Sequence, residues 1–289
     1  MQCLPVEAST TWGVTVLFYG KCIGYRANPS KSWLIVKKDQ EERANRVFKN
    51  TNSDPSAGLN ITTNGRKHLG AALGTEEFKN EYIDNKIEQW SEEIKVLANI
   101  AKTEPHLAYA AFTHGYKHKF TYFMRTIPNI SENMKKLDQV IDEILITAIF
   151  NGKRLSELDR QLIALPVKCG GMAMPIVSTM SDVQYSNSRS LTNNLVSSIV
   201  KQNEVLDIDQ SELIKVKNEI KTNSQQKIGE ELLHIKIQMS NERLKIMEAN
   251  MDYGAGFWLN ALPIKDQGFY LDKRSFWDNI YFRYGFSLP

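Results

Sequence analysis

From Thr75 onward, apolar residues recur every three or four positions: Phe78, Tyr82, Ile83, Ile87, Trp90, Ile94, Leu97 and Ile100. That spacing lays one stripe along an amphipathic helix of about seven turns. Thr75 supplies an N-cap, acidic residues fill the first turn, and Pro105 marks the end. A second helix is predicted after Pro105, through AYAAFTHGYKHKFTYFMRT. A third lies in ENMKKLDQVIDEILITAIFNG, closed by Gly152, and a short fourth in LSELDRQLIAL, before Pro166. Gly170-Gly171 opens an irregular stretch. Residues 180–250 turn helical and polar, with Ile228, Leu232, Ile235, Met239 and Ile246 on a heptad-like seam. The register lapses at Glu242, which predicts a helical hairpin or packed pair rather than a long coiled coil.

Before Thr75 the period changes. Trp12 to Tyr19 is apolar, Gly20 to Ser30 is rich in turn residues, and Trp33 to Lys37 reads as a strand. Residues 39–49 read as a short helix with Ala44, Val47 and Phe48 on one face. The polar loop NTNSDPSAG follows. LNITTNGRKHLGAALG then alternates around Asn64-Gly65, a pair that tolerates positive φ, so a hairpin is expected with Leu59–Thr63 against Lys67–Ala71. The fold class is α+β: a small β-containing N-terminal piece with a hairpin, then a mostly α-helical body. The pattern divides into residues 1–78, 79–180, 181–253 and an aromatic-rich segment, 254–289.

At 42% hydrophobic and 24% charged residues, the chain has the composition of a globular protein with a real core. A net charge of +3 permits a nucleic-acid partner without demanding one. Cys3, Cys22 and Cys169 are scattered and odd in number, which argues against a disulfide framework and for a reducing, intracellular compartment, cytoplasm or nucleus. The N-terminus has no basic stretch before its short apolar run, so no secretory signal is expected. No apolar stretch approaches the ~18–20 residues of a membrane span.

GYRANPSKSW, residues 24–33, carries Gly, Lys and Ser in the order of a phosphate-binding loop. That loop needs a second glycine directly before the Lys-Ser pair, where this chain has Ser30 after Pro29, a residue with no N–H to offer. A turn feeding the Trp33 strand fits better. His114 and His118, at i and i+4, suit one helix face of a zinc site, but no third ligand stands nearby in sequence, so no metal site is expected.

Four segments in order, GYRANPSKSWLIVK, RKHLGAALG, KCGGMAMP and the final GFWLNALPIKDQGFYLDKRSFWDNIYFRYGF, resemble reverse transcriptases of non-LTR, LINE-like retroelements. GYRANPSKSWLIVK resembles the palm segment that follows the catalytic turn. RKHLGAALG, with His68, Leu69, Gly70 and Gly74, resembles the primer-grip hairpin. KCGGMAMP, with Pro166 upstream, resembles the end of the thumb, although Met172-Ala173 stands where that family has Leu-Gly. The last segment, GFWLNALPIKDQGFYLDKRSFWDNIYFRYGF, resembles one that precedes a Cys/His-rich module in some of these elements. The resemblance implies a palm remnant and a helical thumb-like body.

The family's metal site is an aromatic-x-Asp-Asp turn plus an upstream Asp, whose carboxylates hold two Mg²⁺. No Asp-Asp pair occurs in this sequence. The resemblance therefore implies a fragment of an RNA-directed DNA polymerase, itself not catalytic and without a cofactor of its own, Mg²⁺ belonging to the full-length parent. It further implies weak, salt-sensitive affinity for an RNA/DNA primer–template duplex. Lys31 would lie near the incoming triphosphate, and Arg66, Lys67, His68 and Gly70 on the hairpin that touches the primer.

The residues support a nucleic-acid reading in a second place. HGYKHKFTYFMR interleaves Lys117, Lys119 and Arg125 with Tyr116, Phe120, Tyr122 and Phe123. Such a mixture can track a strand, with charge on phosphate and rings on bases or sugars. It equally suits an amphipathic helix whose rings are core and whose cations point outward. A reading from another class is a helical protein-interaction scaffold over residues 79–250, without nucleic-acid affinity.

Overall fold

The computed structural model describes residues 31–49, 60–201 and 210–288. Residues 12–30 and the loop at 50–58, read above as mixed structure and a polar linker, lie outside the described residues. The chain divides into two compact units, Met1–Tyr82 and Ile83–Pro289. The class is α+β: a few short strands in the first unit and helices through the second.

In the first unit, β1 (Trp33–Ile35) pairs in parallel with β2 (Asn60–Thr62), with Leu34 opposite Ile61. The helix α1 (Glu41–Lys49) falls between them in sequence, as a parallel pair requires a crossover. The hairpin is displaced from the expected one. It joins β3 (Gly65–His68) to β4 (Ala71–Gly74), and its turn is Leu69-Gly70, not Asn64-Gly65. Both turn residues have positive φ, +47° and +88°, as a type I′ turn demands. For Leu69 that conformation costs roughly 1–2 kcal/mol. Of the partner expected for this hairpin, Leu59–Thr63, residues Asn60–Thr62 instead pair with β1. Gly65 is required for close approach: a Cβ there would stand 2.5 Å from Phe78 Cδ1 and 2.6 Å from the Leu73 carbonyl oxygen.

α2 (Glu76–Ala101) begins as the sequence predicts, the Phe78 amide donating to Thr75 Oγ1. Tyr82 donates its hydroxyl to the Gly70 carbonyl, tying the helix to the hairpin turn (2.8 Å). Its buried face is Ile83, Ile87, Trp90, Ile94, Ala98 and Ala101. Toward the C-terminal end, small Ala98 and Ala101 face inward, and Ile100 is exposed. At this end the buried stripe passes through the small residues Ala98 and Ala101, which lie on the same 3.6-residue face but were not among the large apolar positions of the sequence reading.

In the second unit, α3 (Pro105–Ala111) continues through a wide, π-type turn (Phe112–Tyr116) into α4 (Lys117–Thr126). α5 (Ser131–Val140) likewise runs through a π-type segment (Ile141–Ile146) into α6 (Thr147–Ile149). Gly152, at φ +84°, follows in the turn after α6. Then come α7 (Glu157–Ala164), α8 (Val177–Val200), α9 (Gln210–Gln238), α10 (Asn241–Met251), α11 (Phe257–Asn260) and α12 (Lys273–Tyr284). Phe112, Phe120, Met134, Leu137, Ile141, Leu145, Phe150, Phe276 and Ile280 fill the core. On the predicted seam of α9 and α10, Ile235 is buried, while Ile228, Leu232, Met239 and Ile246 are half-buried. The helix breaks at Ser240, which caps α10.

The irregular stretch at Gly170-Gly171 is a buried loop between α7 and α8, and its backbone needs partners that regular structure would have supplied. The Met172 amide donates to the Ile163 carbonyl, and the Ala173 amide to that of Leu165. Side chains supply the rest. Tyr109 donates to the Met172 carbonyl (2.9 Å), Tyr284 to that of Gly170 (3.2 Å), and Arg160 to those of Met174 and Pro175 (2.8 and 3.1 Å). Gly171 admits no side chain, because a Cβ would lie 2.0 Å from the Leu165 carbonyl oxygen. The loop delivers the chain to α8, whose cap residue, Ile176, has no side-chain acceptor. Asp138 of α5 does that work, accepting from the amides of Val177 and Ser178 at 2.6 and 2.9 Å.

The aromatic C-terminal segment docks on α3. Buried His106 stacks on Phe276, centroids 5.3 Å apart, and its Nδ1 accepts from the Leu271 amide at 3.0 Å. Next to it, Glu104 accepts the Tyr270 hydroxyl. Burial holds the imidazole below its usual 6.5, against a smaller opposite pull from the Trp258 backbone. The folded chain thus holds the neutral ring. Its contribution is complete above the unfolded value and is lost as pH falls through the depressed folded one. His106→Gln keeps an acceptor but cannot titrate. Chemical-denaturation stability should therefore fall less steeply below pH 6.5 in this variant than in the wild type, and parallel pH profiles would contradict the assignment.

Candidate nucleic-acid interface

The predicted site residues separate between the two units. Lys31, Arg66, Lys67, His68 and Gly70 belong to the first, Lys117, Lys119 and Arg125 to the second.

In the first unit, Lys31 is exposed and lies two residues before β1. Arg66, Lys67 and His68 are successive exposed residues of β3, leading into the turn. Strand alternation places Arg66 and His68 on one face and Lys67 on the other. Arg66 Cζ sits 4.0 Å from the centre of the Trp33 ring, a cation–π contact that orients the guanidinium while leaving it exposed. Gly70 forms the turn itself. Residues 60–75 contain no carboxylate, so the hairpin presents unopposed positive charge within that span.

In the second unit the cations of α4 are engaged. Half-buried Lys117 donates to the Ala173 carbonyl at 3.1 Å, and burial pushes its pKa below the usual lysine value. Lys119 pairs with Glu93 at 2.6 Å and lies 4.6 Å from the Tyr116 ring centre. Hydrogen bonds from Lys119 and Tyr116 hold the Glu93 carboxyl below its usual range. Burial, with Glu93 beside it, pushes the Tyr116 phenol up. Arg125 donates from Nε to Gln184 at 3.0 Å and remains exposed. Of the interleaved rings, Phe120 is core and meets Trp90 at 5.2 Å, and half-buried Phe123 meets it edge-on at 4.8 Å. Tyr122 is exposed.

Chemically, the hairpin can neutralise phosphates on an outward-facing strand. The α4 cluster serves its own unit through Lys117 and Lys119. His114 and His118 are both exposed. Among the described residues, no group of three or more His, Cys, Asp or Glu side chains could hold a metal ion. Among them, too, no helix is long and apolar enough to cross a membrane. Sequence reasoning missed Trp33 as the platform for Arg66, because nothing local links residues 33 and 66. It also missed Leu69-Gly70 as the turn, although the pair stands within RKHLGAALG. Comparison with protein-family models, curated proteins and solved structures finds no match to this chain.

Gly70→Val puts a β-branched side chain at φ +88°, at a cost of roughly 1–2 kcal/mol. Hydrogen exchange should quicken across residues 65–74 and remain unchanged across α5. Uniform quickening in both would show that the two do not open separately.

Proposed function

We propose that this chain binds nucleic acid through the basic β3–β4 hairpin, as a non-catalytic fragment of an RNA-directed DNA polymerase. One observation carries the reading: Arg66, Lys67 and His68 stand exposed on a single strand with no carboxylate among residues 60–75, and Trp33 orients Arg66. Arg66 and Lys67 can bind the phosphate backbone without reading sequence, and a ring N–H of His68 can donate to it. The ordered resemblance to a primer-grip hairpin supports the same ligand class, a primer–template duplex. Lys31 and exposed Arg125 remain in the proposal as lesser contacts, whereas Lys117 and Lys119 are left out because their own unit occupies them.

The test is fluorescence anisotropy with a short RNA–DNA duplex between about 50 and 200 mM salt. Affinity should fall steeply as salt rises. The double variant R66A/K67A should bind more weakly, with a log–log salt slope shallower by about two, one for each phosphate no longer neutralised. Absence of binding, or binding indifferent to salt, would refute the proposal.

A second reading, a protein-interaction scaffold, is favoured by one observation. α9 runs from Gln210 to Gln238, yet Ile235 is its one buried residue, and Ile214, Leu233 and Ile237 are exposed. Light scattering should show a concentration-dependent dimer without nucleic-acid affinity if this reading holds, and a monomer at all concentrations if it does not.

A further inference from the structure

Trp33 and Arg66 belong to different two-stranded sheets of the first unit, yet they meet. Arg66 Cζ lies 4.0 Å from the centre of the Trp33 ring, the shortest cation–π approach among the described residues. That is contact distance, well inside the ~6 Å reach of such pairs. Both residues are exposed all the same. The tryptophan therefore steadies the guanidinium without burying it. A guanidinium is planar. Contact with a ring on one face leaves it a second face and an edge of N–H donors.

The rest of that hairpin face suits a flat partner. His68, two residues on along β3, shares the face of Arg66. Opposite these two on β4 stand Leu73 and Ala71. Lys67, on the other side of the strand, and Lys31, two residues before Trp33, are exposed cations nearby. Residues 60–75 hold no carboxylate.

A nucleobase answers both features. It is planar, and it carries a phosphate for the neighbouring cations. Bases of unpaired strands stack on guanidinium planes and aromatic rings. An internal base of a duplex has both faces covered by its neighbours in the stack, whereas an unpaired base has a face to offer. An acidic peptide would meet the cations and leave the flat face unmatched.

We propose that Trp33 and Arg66 form a stacking platform for one unpaired base, with Lys31 and Lys67 contacting the phosphates beside it, so that the hairpin takes a single-stranded segment in preference to blunt duplex. This inference rests on the nucleic-acid reading above. It names the part of the ligand that the hairpin grips.

The experiment uses the full chain and fluorescence anisotropy at one fixed salt concentration. Three ligands are compared: a blunt duplex, the same duplex with a single-stranded overhang, and that duplex with an abasic overhang. Wild-type protein should bind the overhang about tenfold more tightly than the blunt end, the effect of stacking roughly one base. The abasic overhang, which keeps the phosphates and lacks the bases, should lose most of that preference. R66K keeps the charge but has no plane to stack. It should bring the ratio of overhang to blunt affinity close to one, while its binding still weakens steeply with salt. The abasic comparison is made on the wild type, so it stands whether or not the variant folds.

Equal wild-type affinity for blunt and overhang duplexes would overturn the platform and leave the phosphate-binding reading standing. So would a preference that survives removal of the bases, or one that R66K retains in full. Absence of binding to all three ligands would overturn both readings. Binding of poly-glutamate as tight as that of the overhang duplex would assign the hairpin to acidic proteins and overturn the platform.

Discussion

The second unit depends on satisfying the peptide carbonyls of one irregular loop. Residues 166–175 follow neither helix nor sheet over most of their length, and most are buried. Their carbonyls are met by donors from separate helices: Tyr109 on α3, Lys117 on α4, Arg160 on α7, and Arg283 and Tyr284 on α12. A hydrogen bond to a charged group contributes about 1.5–3 kcal/mol, and a buried carbonyl left without one costs about 1–3 kcal/mol. Removing a donor therefore penalises the loop and loosens the helix that supplied it. Gly171 belongs to the same constraint, since the loop backbone packs too closely on Leu165 to admit a side chain.

That constraint explains why the chain's cations serve two ends. Lys117 and Arg160 lie in or near the core and are consumed by carbonyls and carboxylates. Arg66, Lys67 and His68 are exposed on a short strand, and the charges of Arg66 and Lys67 face water. Residue type alone does not separate the two groups. Lys117 and Arg160 differ from the hairpin cations in that an irregular backbone segment passes within their reach.

The helical body was legible because it obeys a period. Thr75 as a cap, the stripe from Ile83 to Ile94, and the terminators Gly152 and Pro166 are local signals, and local signals survive folding. The β-containing piece was legible in class but not in register. Asn64-Gly65 is the stronger turn pair by intrinsic preference, yet β2 is claimed by β1, a pairing between residues 27 positions apart. The turn then moves to Leu69-Gly70. The proposed interface was half legible: Arg66, Lys67 and His68 showed as a basic run, whereas Trp33 acquires meaning only through tertiary placement. The loop's side-chain donors gave no local signal either, since Arg283 and Val167 are brought together by the fold alone.

α12 adds a consequence in time. It is synthesised after every other helix of its unit, yet it supplies Phe276 and Ile280 to the core and Arg283 and Tyr284 to the loop. Its Trp277 and Tyr281 also donate to the carbonyls of Ile149 and Phe150. Until the ribosome has released this segment, those earlier carbonyls and the apolar wall around Tyr109 stay open to water. The helices made first therefore have to wait, partly assembled, for the one made last. Closure of this unit thus joins segments far apart in sequence, the kind of contact that forms slowly, and until it is made the apolar surface around Tyr109 is what a nascent-chain chaperone would hold.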